Sequence, residues 1–292
     1  MSQIGRGYPS DLSDEQWKLI QNFIPKASAG GRPRTTDVRA VLNAIFYLNR
    51  SGCAWRYLPL GFPPWSTVYM YYLHWKDQGI LKKIHDFLVQ QVRVQIHRDP
   101  SPSALIVDCQ SIKAHWGEHR GYDGFKKVQG RKRTLFVDTL GFIQEISVRA
   151  ANQGDHRLAL ELLDPKSSYF SSFLKRNLKA FYADSGYRAS FFQTAIQERF
   201  GVWPTLKTSK VETKCIQVEP KRWDYKDFVT QTNLKPVRWR VERTFAWFNY
   251  YRRLNRDHER TVSSSETMIL VAMSQLMLRR LFRLPHSYKR WN

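Results

Sequence analysis

The sequence predicts an α/β fold that follows a small all-helical region. Before residue 97, apolar residues recur at the spacing of amphipathic helices. Residues 99–103, Asp-Pro-Ser-Pro-Ser, then discourage both helix and sheet, which is typical of a linker. Beyond this segment short apolar runs alternate with helical stretches, and that alternation favours an α/β layer over a helix bundle.

The first part of the chain carries four predicted helices, and each ends near a glycine, a proline or the linker. A capping box at residues 13–16 opens the first helix, and Ser66 with Thr67 is expected to cap the third. The predicted helices cover residues 13–24, 38–51, 66–78 and 80–96.

The second part of the chain carries five apolar runs that read as strands, two of them joined as a hairpin around Leu140 and Gly141. Asp138 is interpreted as a turn residue of this hairpin, and Asp155 as a helix N-cap. The predicted strands cover residues 104–109, 134–139, 142–149, 180–183 and 202–206. The predicted helices cover residues 155–163, 189–200 and 237–254.

The charge of the chain indicates a polyanionic partner. Lys and Arg total 47 against 25 acidic residues, so the net charge is +22 and the pI about 10.1. Nucleic acid is the leading candidate. No apolar run approaches the roughly 18 residues of a membrane span, and no signal-peptide pattern opens the chain, so we expect a cytoplasmic protein without a membrane partner. Cys53, Cys109 and Cys215 lack C-x-x-C spacing, which excludes a cysteine zinc site of that type.

Three acids have the setting of metal ligands. Asp108 and Asp184 each end a short apolar run, and Glu242 lies in an arginine-rich helical stretch. Carboxylates from two strands and a helix can converge on a pair of divalent cations and clamp a phosphodiester during in-line attack. For each aspartate the alternative is a turn or helix cap, and for Glu242 it is a surface ion-pair network.

Several blocks of sequence together resemble DDE transposases of the insertion-sequence-5 (IS5-like) family. In the second part they are residues 106–111, 130–133, 137–141, 183–188 and 239–247. In the first part they are residues 12–17, 31–34 and 62–69. The resemblance implies an RNase H-like catalytic domain, a mixed sheet flanked by helices, over residues 104–284. It also implies a helix-turn-helix-like DNA-binding domain over residues 1–98, with a basic tail at 285–292.

The resemblance assigns Asp108, Asp184 and Glu242 as the catalytic acids and as the ligands of two Mg²⁺ ions, which Mn²⁺ can replace. It implies a transposase that binds the terminal inverted repeats of its insertion sequence, cleaves DNA and transfers the strand. The expected partners are double-stranded DNA, both element ends and target, and a second copy of the chain when the ends are paired. Such an enzyme would work at the bacterial nucleoid. The alternatives are a structure-specific RNase H-like nuclease without strand transfer and a non-catalytic DNA-binding regulator.

The resemblance is incomplete around the glutamate. Related enzymes often carry a Tyr-Arg-Glu-Lys signature, in which Arg238 matches the arginine, whereas Lys235 and Asn249 replace the tyrosine and the lysine. Arg252 and Arg253 are expected to supply the missing cation instead, three turns further along the predicted helix.

The remaining DNA contacts are predicted from basic segments. Residues 126–133 read as a phosphate-contacting loop beside Asp108, with a solvated charge run as the alternative. Residues 31–34 could lay two arginines in a minor groove or form a plain interhelix loop. The predicted DNA-binding residues are Arg32, Arg34, Lys126, Lys127, Arg131, Lys132, Arg133, Arg188, Arg238, Arg243, Arg252 and Arg253.

Residues 115–119 spell H-x-x-E-H, the string of some zinc proteases. That zinc site needs a helix, and Gly117 together with the neighbouring basic residues makes a helix unfavourable. We therefore predict that His115 and His119 hold no zinc. The aromatic residues between 55 and 75 are interpreted as core rather than as a base-stacking surface.

Overall fold

Four α-helices precede a six-stranded mixed sheet in the computed structural model, which describes residues 7–27, 33–163, 177–207 and 239–282. The predicted helical region is thereby confirmed. Its helices are α1 (Asp14–Ile20), α2 (Val38–Ser51), α3 (Trp65–Asp77) and α4 (Ile80–Gln95).

The ends of these helices follow their capping residues. Ser13 Oγ accepts the backbone N–H of Gln16, and the Gln16 side chain accepts the N–H of Ser13, so the predicted capping box forms. The predicted start of α3 is wrong, because the helix begins at Trp65, one residue before its expected cap, with Pro64 in the N-cap position. Ser66 and Thr67 lie in its first turn.

The sheet combines antiparallel and parallel pairs in the order β2-β3-β1-β5-β6, with β4 also paired to β3. Strand β3 is antiparallel to both β1 and β4, whereas β5 runs parallel to both β1 and β6. The strands are β1 (Ala104–Lys113), β2 (Gly121–Asp123), β3 (Val128–Asp138), β4 (Ile143–Ala150), β5 (Ala180–Asp184) and β6 (Pro204–Lys207).

Two strands extend at least four residues beyond their predicted ends. Strand β1 continues four residues past Cys109, because β3 pairs with it as far as Lys113. Asp108 therefore lies inside the strand and not at its end. Strand β3 begins at Val128, so the loop predicted over residues 126–133 is wrong for residues 128–133, which are strand.

The helices of the second part are α5 (Asp155–Leu162), α6 (Ser190–Phe200), α7 (Trp239–Phe248) and α8 (Val262–Leu281). Gly154, not Asp155, is the N-cap of α5, so that predicted role is wrong. Helix α7 ends six residues before its predicted end, and a turn leads to a 3-10 helix at Arg252–Leu254. Helix α8 is missing from the sequence-based prediction.

Each face of the sheet covers its own apolar core. The front face presents Ile106, Leu135 and Val137 to a core shared with α1 to α4, α7 and α8. The back face presents Leu105, Val107 and Phe136 to a smaller core shared with α5 and α6. Successive side chains of a strand point to opposite faces, so even-numbered residues of β1 belong to the front face.

Helix α8 joins the front face of the sheet to the first four helices. It contacts α4 and α2 as well as β4. The hydroxyl of Tyr72 donates to the carbonyl of Ser264 at 3.1 Å, and Asn49 Nδ2 donates to the carbonyl of Met268 at 2.8 Å. The division into domains at residues 98 and 104 stays a prediction, and the tail at 285–292 lies outside the described residues. No helix in the described part of the chain combines the length and apolarity of a membrane span.

Candidate active site

Asp108 and Asp184 stand at matching positions on neighbouring parallel strands. The register pairs Ile106 of β1 with Tyr182 of β5, and each aspartate lies two residues further along its strand. Side chains two residues apart share a face, so both carboxylates belong to the front face with Ile106. The structure thus brings the two predicted aspartates together on one side of the sheet.

Both aspartates are half-buried, and a backbone N–H holds each carboxylate. Asp108 Oδ1 accepts the N–H of Cys109 at 2.8 Å. Asp184 Oδ1 accepts the N–H of Gly186 at 2.8 Å, which makes Asp184 the N-cap of the short 3-10 helix Ser185–Tyr187. The predicted tight exit after Asp184 is confirmed. These bonds engage one oxygen of each carboxylate.

On the back face of the sheet, side-chain contacts join the strands that carry the two aspartates. The thiol of Cys109 lies 3.2 Å from the Tyr187 hydroxyl and 3.2 Å from Thr134 Oγ1. Burial, followed by the negative charge of Asp155, raises the pKa of the Cys109 thiol to about 12, so the thiol stays protonated. The contact between Cys109 and Tyr187 therefore joins β1 to the segment that follows β5 on the back face of the sheet.

Helix α7 carries Glu242 and packs on the same front face. Val241 and Phe248 are buried in the front core, and the helix contacts β1 and β3. Glu242 is exposed on this helix, one residue after Val241. The structure therefore places all three predicted acids on the front side of the sheet, two from strands and one from a helix.

The β3–β4 turn holds α7 in place. Thr244 Oγ1 donates to the carbonyl of Gly141 at 2.7 Å, and Arg243 Nη2 donates to the carbonyl of Leu140 at 2.8 Å. Gly141 has a φ of +81°, and a Cβ there would stand 2.9 Å from Thr244 Oγ1 and 3.2 Å from the carbonyl oxygen of Arg240. Only glycine suits both the left-handed backbone and the close approach of the helix.

Asp138 shapes this turn and ties it to α4. Its Oδ1 accepts the N–H groups of Leu140 and Phe142, and its Oδ2 pairs with the buried guanidinium of Arg93. The predicted turn role is confirmed. A chain of contacts thus runs from α4 through Asp138 and the turn to the helix that carries Glu242.

Comparison with known proteins identifies this arrangement. A family described as "Transposase DDE domain" matches residues 99–277, more than half of the chain. The chain belongs to this transposase family. A family described as "Putative transposase of IS4/5 family" matches residues 12–85, so the transposase is of the IS4/5 type and the resemblance seen in the sequence is confirmed.

Two curated relatives match about a third of the transposase. The uncharacterized protein y4sN of Sinorhizobium fredii (strain NBRC 101917 / NGR234) is 29% identical over 104 residues, which are 36% of this chain and 77% of the relative. The insertion element IS402 uncharacterized 16.2 kDa protein of Burkholderia cepacia is 30% identical over 109 residues, 35% of this chain and 73% of the relative. No solved structure matches the chain significantly.

Strand β3 of the transposase carries three predicted DNA-binding cations whose side chains are buried. Arg131, Lys132 and Arg133 on β3 are exposed by 0%, 6% and 1%. Arg131 pairs with Asp257, Lys132 with Asp155, and Arg133 Nη1 donates to the carbonyl of Leu254. Their assignment to a phosphate-contacting loop is wrong, because their side chains lie within the fold and not on its surface.

Arg253 and Arg243 also have structural partners. Arg253 pairs with Glu259 at 2.6 Å and donates to the carbonyl of Cys53, so it is buried and does not supply a cation beside Glu242. The Arg243 guanidinium lies between the rings of Trp239 and Trp247, 4.4 and 5.0 Å from their centroids. A DNA contact of Arg243 stays a prediction.

The other predicted cations are exposed or lie outside the described residues. Lys126, Lys127 and Arg188 have exposed side chains. Lys126 Nζ donates to the carbonyl of Cys109 at 3.2 Å, and Arg188 follows Asp184 by four residues. Arg34 and Arg252 are also exposed, although Arg34 donates to the carbonyl of Pro25 at 2.8 Å. Three further basic residues named in the sequence analysis lie outside the described residues: Arg32, Lys235 and Arg238. The same holds for Cys215.

The H-x-x-E-H segment forms no helix, as expected. Gly117 has a φ of +94°, His115 Nε2 contacts Arg256, and Glu118 accepts the N–H of Val262. Within residues 7–27, 33–163, 177–207 and 239–282, no three His, Cys, Asp or Glu side chains are gathered closely enough to hold a metal ion. This applies to the three acids of the candidate site as well.

The three acids nevertheless suit Mg²⁺ or Mn²⁺ chemically. Both cations prefer carboxylate and water oxygens, and Mg²⁺ usually binds one or two carboxylates together with substrate phosphates. Asp108 and Asp184 share a face of the sheet, and DNA would provide the remaining oxygens. A metal site built from Asp108, Asp184 and Glu242 is therefore compatible with the donors present.

Proposed function

We propose that this transposase binds the terminal inverted repeats of its insertion sequence, cleaves the DNA with divalent metal ions and joins the freed strand to target DNA. One observation carries the proposal. Asp108 and Asp184 are in matching register on adjacent parallel strands, and the helix of Glu242 packs on the same face. Two strand carboxylates and one helix carboxylate at one face suit phosphoryl transfer.

Asp108 and Asp184 would hold both cations between them, and Glu242 would complete one coordination sphere. Two bound Mg²⁺ ions would stabilise the charge that develops on the attacking and leaving oxygens. The fold of the protein would hold the three carboxylates in position. The Cys109–Tyr187 contact sets the distance between the aspartate strands, and the turn at Gly141 sets the depth of the glutamate helix.

The reaction would proceed in two displacements. In the first, a water oxygen bonds to phosphorus at the element end, the bond from phosphorus to the 3′-oxygen breaks, and a 3′-hydroxyl and a 5′-phosphate are formed. In the second, that 3′-hydroxyl loses its proton and attacks a target phosphodiester, whose own 3′-oxygen leaves. Each step exchanges one phosphorus–oxygen bond for another, so no oxidant or energy-rich cofactor is needed.

The DNA would lie across the front of the sheet and the first four helices. The net charge of +22 favours this partner, and Lys126, Lys127 and Arg188 are exposed cations near the aspartates. We further propose that the sheet is RNase H-like, that α1 to α4 form a helix-turn-helix-like domain for the inverted repeat, and that two copies of the chain hold the paired ends.

The test combines product analysis with a matched pair of variants. The transposase is incubated with inverted-repeat DNA, an unlabelled target and Mg²⁺ or Mn²⁺, and each product strand is sequenced. Wild type is expected to give both cleaved ends and joined products. Asp184→Ala should abolish both while retaining nearly all end binding, because phosphate contacts of Lys and Arg dominate affinity.

Glu198→Gln is the control, since Glu198 is an exposed acid on α6, which packs on the back face of the sheet. This variant should cleave like wild type. Cleaved ends without joined products would favour the second candidate, a structure-specific nuclease. Wild-type cleavage by Asp184→Ala would contradict the proposed site.

A further inference from the structure

Two segments that the proposed reaction does not use form one strongly basic surface. The first, residues 113–120, runs from the end of β1 and includes the H-x-x-E-H string. The second, residues 256–260, follows the 3-10 helix at Arg252–Leu254. We call the two segments the basic platform. Its exposed side chains include four Lys and Arg residues and three histidines: Lys113, Arg120, Arg256, Arg260, His115, His119 and His258.

The acids of residues 256–260 point into the fold while their neighbours point out. Asp257 and Glu259 are only 3% and 7% exposed, and the basic residues on either side of each are exposed. Asp257 pairs with Arg131 at 3.0 Å, and Glu259 pairs with Arg253 at 2.6 Å. The buried acids thus neutralise interior arginines, and the outward charge of this segment stays positive.

Backbone contacts hold the platform in place. Arg131, which is buried, donates to the carbonyls of Glu118 and Arg260 at 2.7 and 3.0 Å. The N–H of Glu118 also donates to the carbonyl of Arg260 at 3.0 Å, and Glu118 Oε1 accepts the N–H of Val262. Gly117, with a φ of +94°, permits this approach, since a Cβ there would stand 2.6 Å from the same carbonyl oxygen. A ligand would therefore meet a preorganised surface.

The platform borders a gap in the pairing of β1. Strand β3 occupies one edge of β1, so β5 and residues 256–260 share the other edge. The pairing with β5 ends at Ile106, and the pairing with residues 256–260 begins at Ala114. In the described part of the chain, no segment pairs with the stretch between them, which carries Asp108. Asp184, the last residue of β5, borders the same gap from the other side.

DNA that enters this gap would pass the platform. Lys113 lies five residues beyond Asp108 on β1, which is roughly 16 Å at the rise of a strand. Base pairs rise by about 3.4 Å, so this separation corresponds to about five base pairs. Lys and Arg contacts to phosphates carry no sequence information. Such a surface suits target DNA, whose sequence is not fixed, better than an end that is recognised by its sequence.

We propose that the basic platform binds the phosphate backbone of target DNA, about five base pairs from the phosphodiester that the 3′-hydroxyl attacks. This inference rests on the proposed function, because only an enzyme that joins strands captures a target. The platform would hold target DNA across the gap that carries the acids. It would take no part in cleavage of the element end.

The first experiment separates joining from cleavage. The double variant Arg256→Gln/Arg260→Gln removes two exposed charges and leaves the backbone contacts of the platform in place. It should cleave inverted-repeat DNA within twofold of wild type. With pre-cleaved ends, half-maximal joining should need roughly 10-fold more target DNA at an unchanged maximal rate, because phosphate contacts contribute affinity rather than chemistry.

The matched control is Arg157→Gln/Lys179→Gln, which removes two exposed charges elsewhere. Arg157 lies on α5, which packs on the back face, and Lys179 precedes β5 at the end remote from Asp184. This variant should join like wild type at every target concentration. Arg256→Lys/Arg260→Lys should do nearly the same, because it keeps both charges.

Three results of this experiment would overturn the inference and leave the proposed function intact. One is an unchanged target requirement in Arg256→Gln/Arg260→Gln. Another is an equal rise in the control variant. The third is a matching loss of end cleavage in Arg256→Gln/Arg260→Gln, which would assign the platform to the element end.

The second experiment requires binding only. Fluorescence anisotropy measures the affinity of each protein for random-sequence duplex DNA over a range of salt concentrations. The slope of log affinity against log salt should fall by about two ion equivalents in Arg256→Gln/Arg260→Gln and stay unchanged in the control. If wild type joins no strands, the proposed function fails, and this slope still decides whether the platform contacts DNA. An unchanged slope in Arg256→Gln/Arg260→Gln would overturn the inference.

Discussion

Arg131 has no exposed surface, and its guanidinium is held by several acceptors. Nη1 donates to Asp257 Oδ1 at 3.0 Å and to the carbonyl of Glu259 at 2.8 Å, and Nη2 donates to the carbonyl of Glu118 at 2.7 Å. Asp257 in turn accepts the hydroxyl of Ser265 at 2.6 Å. A buried charge of this kind is tolerated only while its partners remain.

Loss of the Asp257 carboxylate should therefore be severe. We expect Asp257→Ala to lower the free energy of unfolding by about 3–5 kcal/mol, because it leaves Arg131 as an uncompensated buried charge. The control is Glu161→Ala, which breaks the more exposed Arg149–Glu161 pair and should cost at most about 1 kcal/mol. Urea denaturation measures both. Similar losses in the two variants would show that Arg131 reaches solvent.

At the residue scale, the placement of Asp108 and Asp184 on strands was predictable and the burial of the cations was not. Asp108 and Asp184 each follow an apolar run, and that run predicts the strand that carries the aspartate. The burial of Arg131 depends on Asp257, 126 residues later in the chain. A local run of basic residues looks the same whether its side chains meet phosphates or buried acids.

At the element scale, the position of α7 depends on the β3–β4 turn. The turn contacts the helix through Thr244 and Arg243, and Gly141 leaves no room for a side chain. Any change that pushes the turn outwards moves the whole helix, because Thr244 lies only two residues after Glu242.

We expect Gly141→Ala to impair cleavage by pushing α7 away from the sheet. The control is Gly201→Ala, because Gly201 has a similar φ of +72° but nothing within 4 Å of an added Cβ. Both substitutions place alanine in the left-handed region, which costs about 1 kcal/mol. Of the two, only Gly141→Ala brings the added Cβ too close to neighbouring atoms. Single-turnover cleavage should fall at least about 10-fold for Gly141→Ala alone. Equal losses in both variants would contradict this account.

The contact between α4 and β4 should make stability depend on pH. Burial raises the pKa of Glu145 to about 7, and the charges of Asp86 and Glu266 add to the effect while Lys82 opposes it. Because the folded-state pKa exceeds the unfolded value, the neutral acid is favoured in the fold. Its stabilising contribution is complete below pH 4.5 and is lost as pH rises through about 7.

Unfolding of wild type and Glu145→Gln should therefore be compared at pH 5 and pH 8. We expect wild type to lose about 2 kcal/mol more than the variant between these values. The glutamine keeps the size of the side chain without its ionisation. A difference between the two proteins that does not change with pH would exclude ionisation of Glu145 in the fold.

Local sequence signals predicted the existence of most elements but not their lengths. Residues 104–109 are apolar enough to show a strand, whereas residues 110–113 become strand only because β3 pairs with them. Helix α8 could have been found from Thr261, which caps it through the N–H of Ser264. Its apolar residues surround it on nearly all sides, so it lacks the periodic pattern that reveals surface helices.

At the scale of the whole molecule, α8 connects the two predicted domains. Its side chains enter the core of the first four helices, and Gln275 Nε2 donates to the carbonyl of Ser10 at 2.9 Å. A movement of the first four helices would therefore displace α8 and, through α8, the sheet that carries the aspartates. A separate domain over residues 1–98 stays a prediction. In such a fragment, the side chains that α8 covers would be exposed to solvent.

The central claim is that Asp108, Asp184 and Glu242 hold metal together on the front face. Iron-directed cleavage of the polypeptide tests it most directly, with Fe²⁺ in place of Mg²⁺, end DNA bound, and ascorbate and peroxide added to generate radicals at the metal. We expect cuts near residues 108, 184 and 242, suppressed by excess Mg²⁺ and absent in Asp184→Ala. Cuts elsewhere, such as residues 115–119, or an unchanged pattern in Asp184→Ala, would contradict the claim.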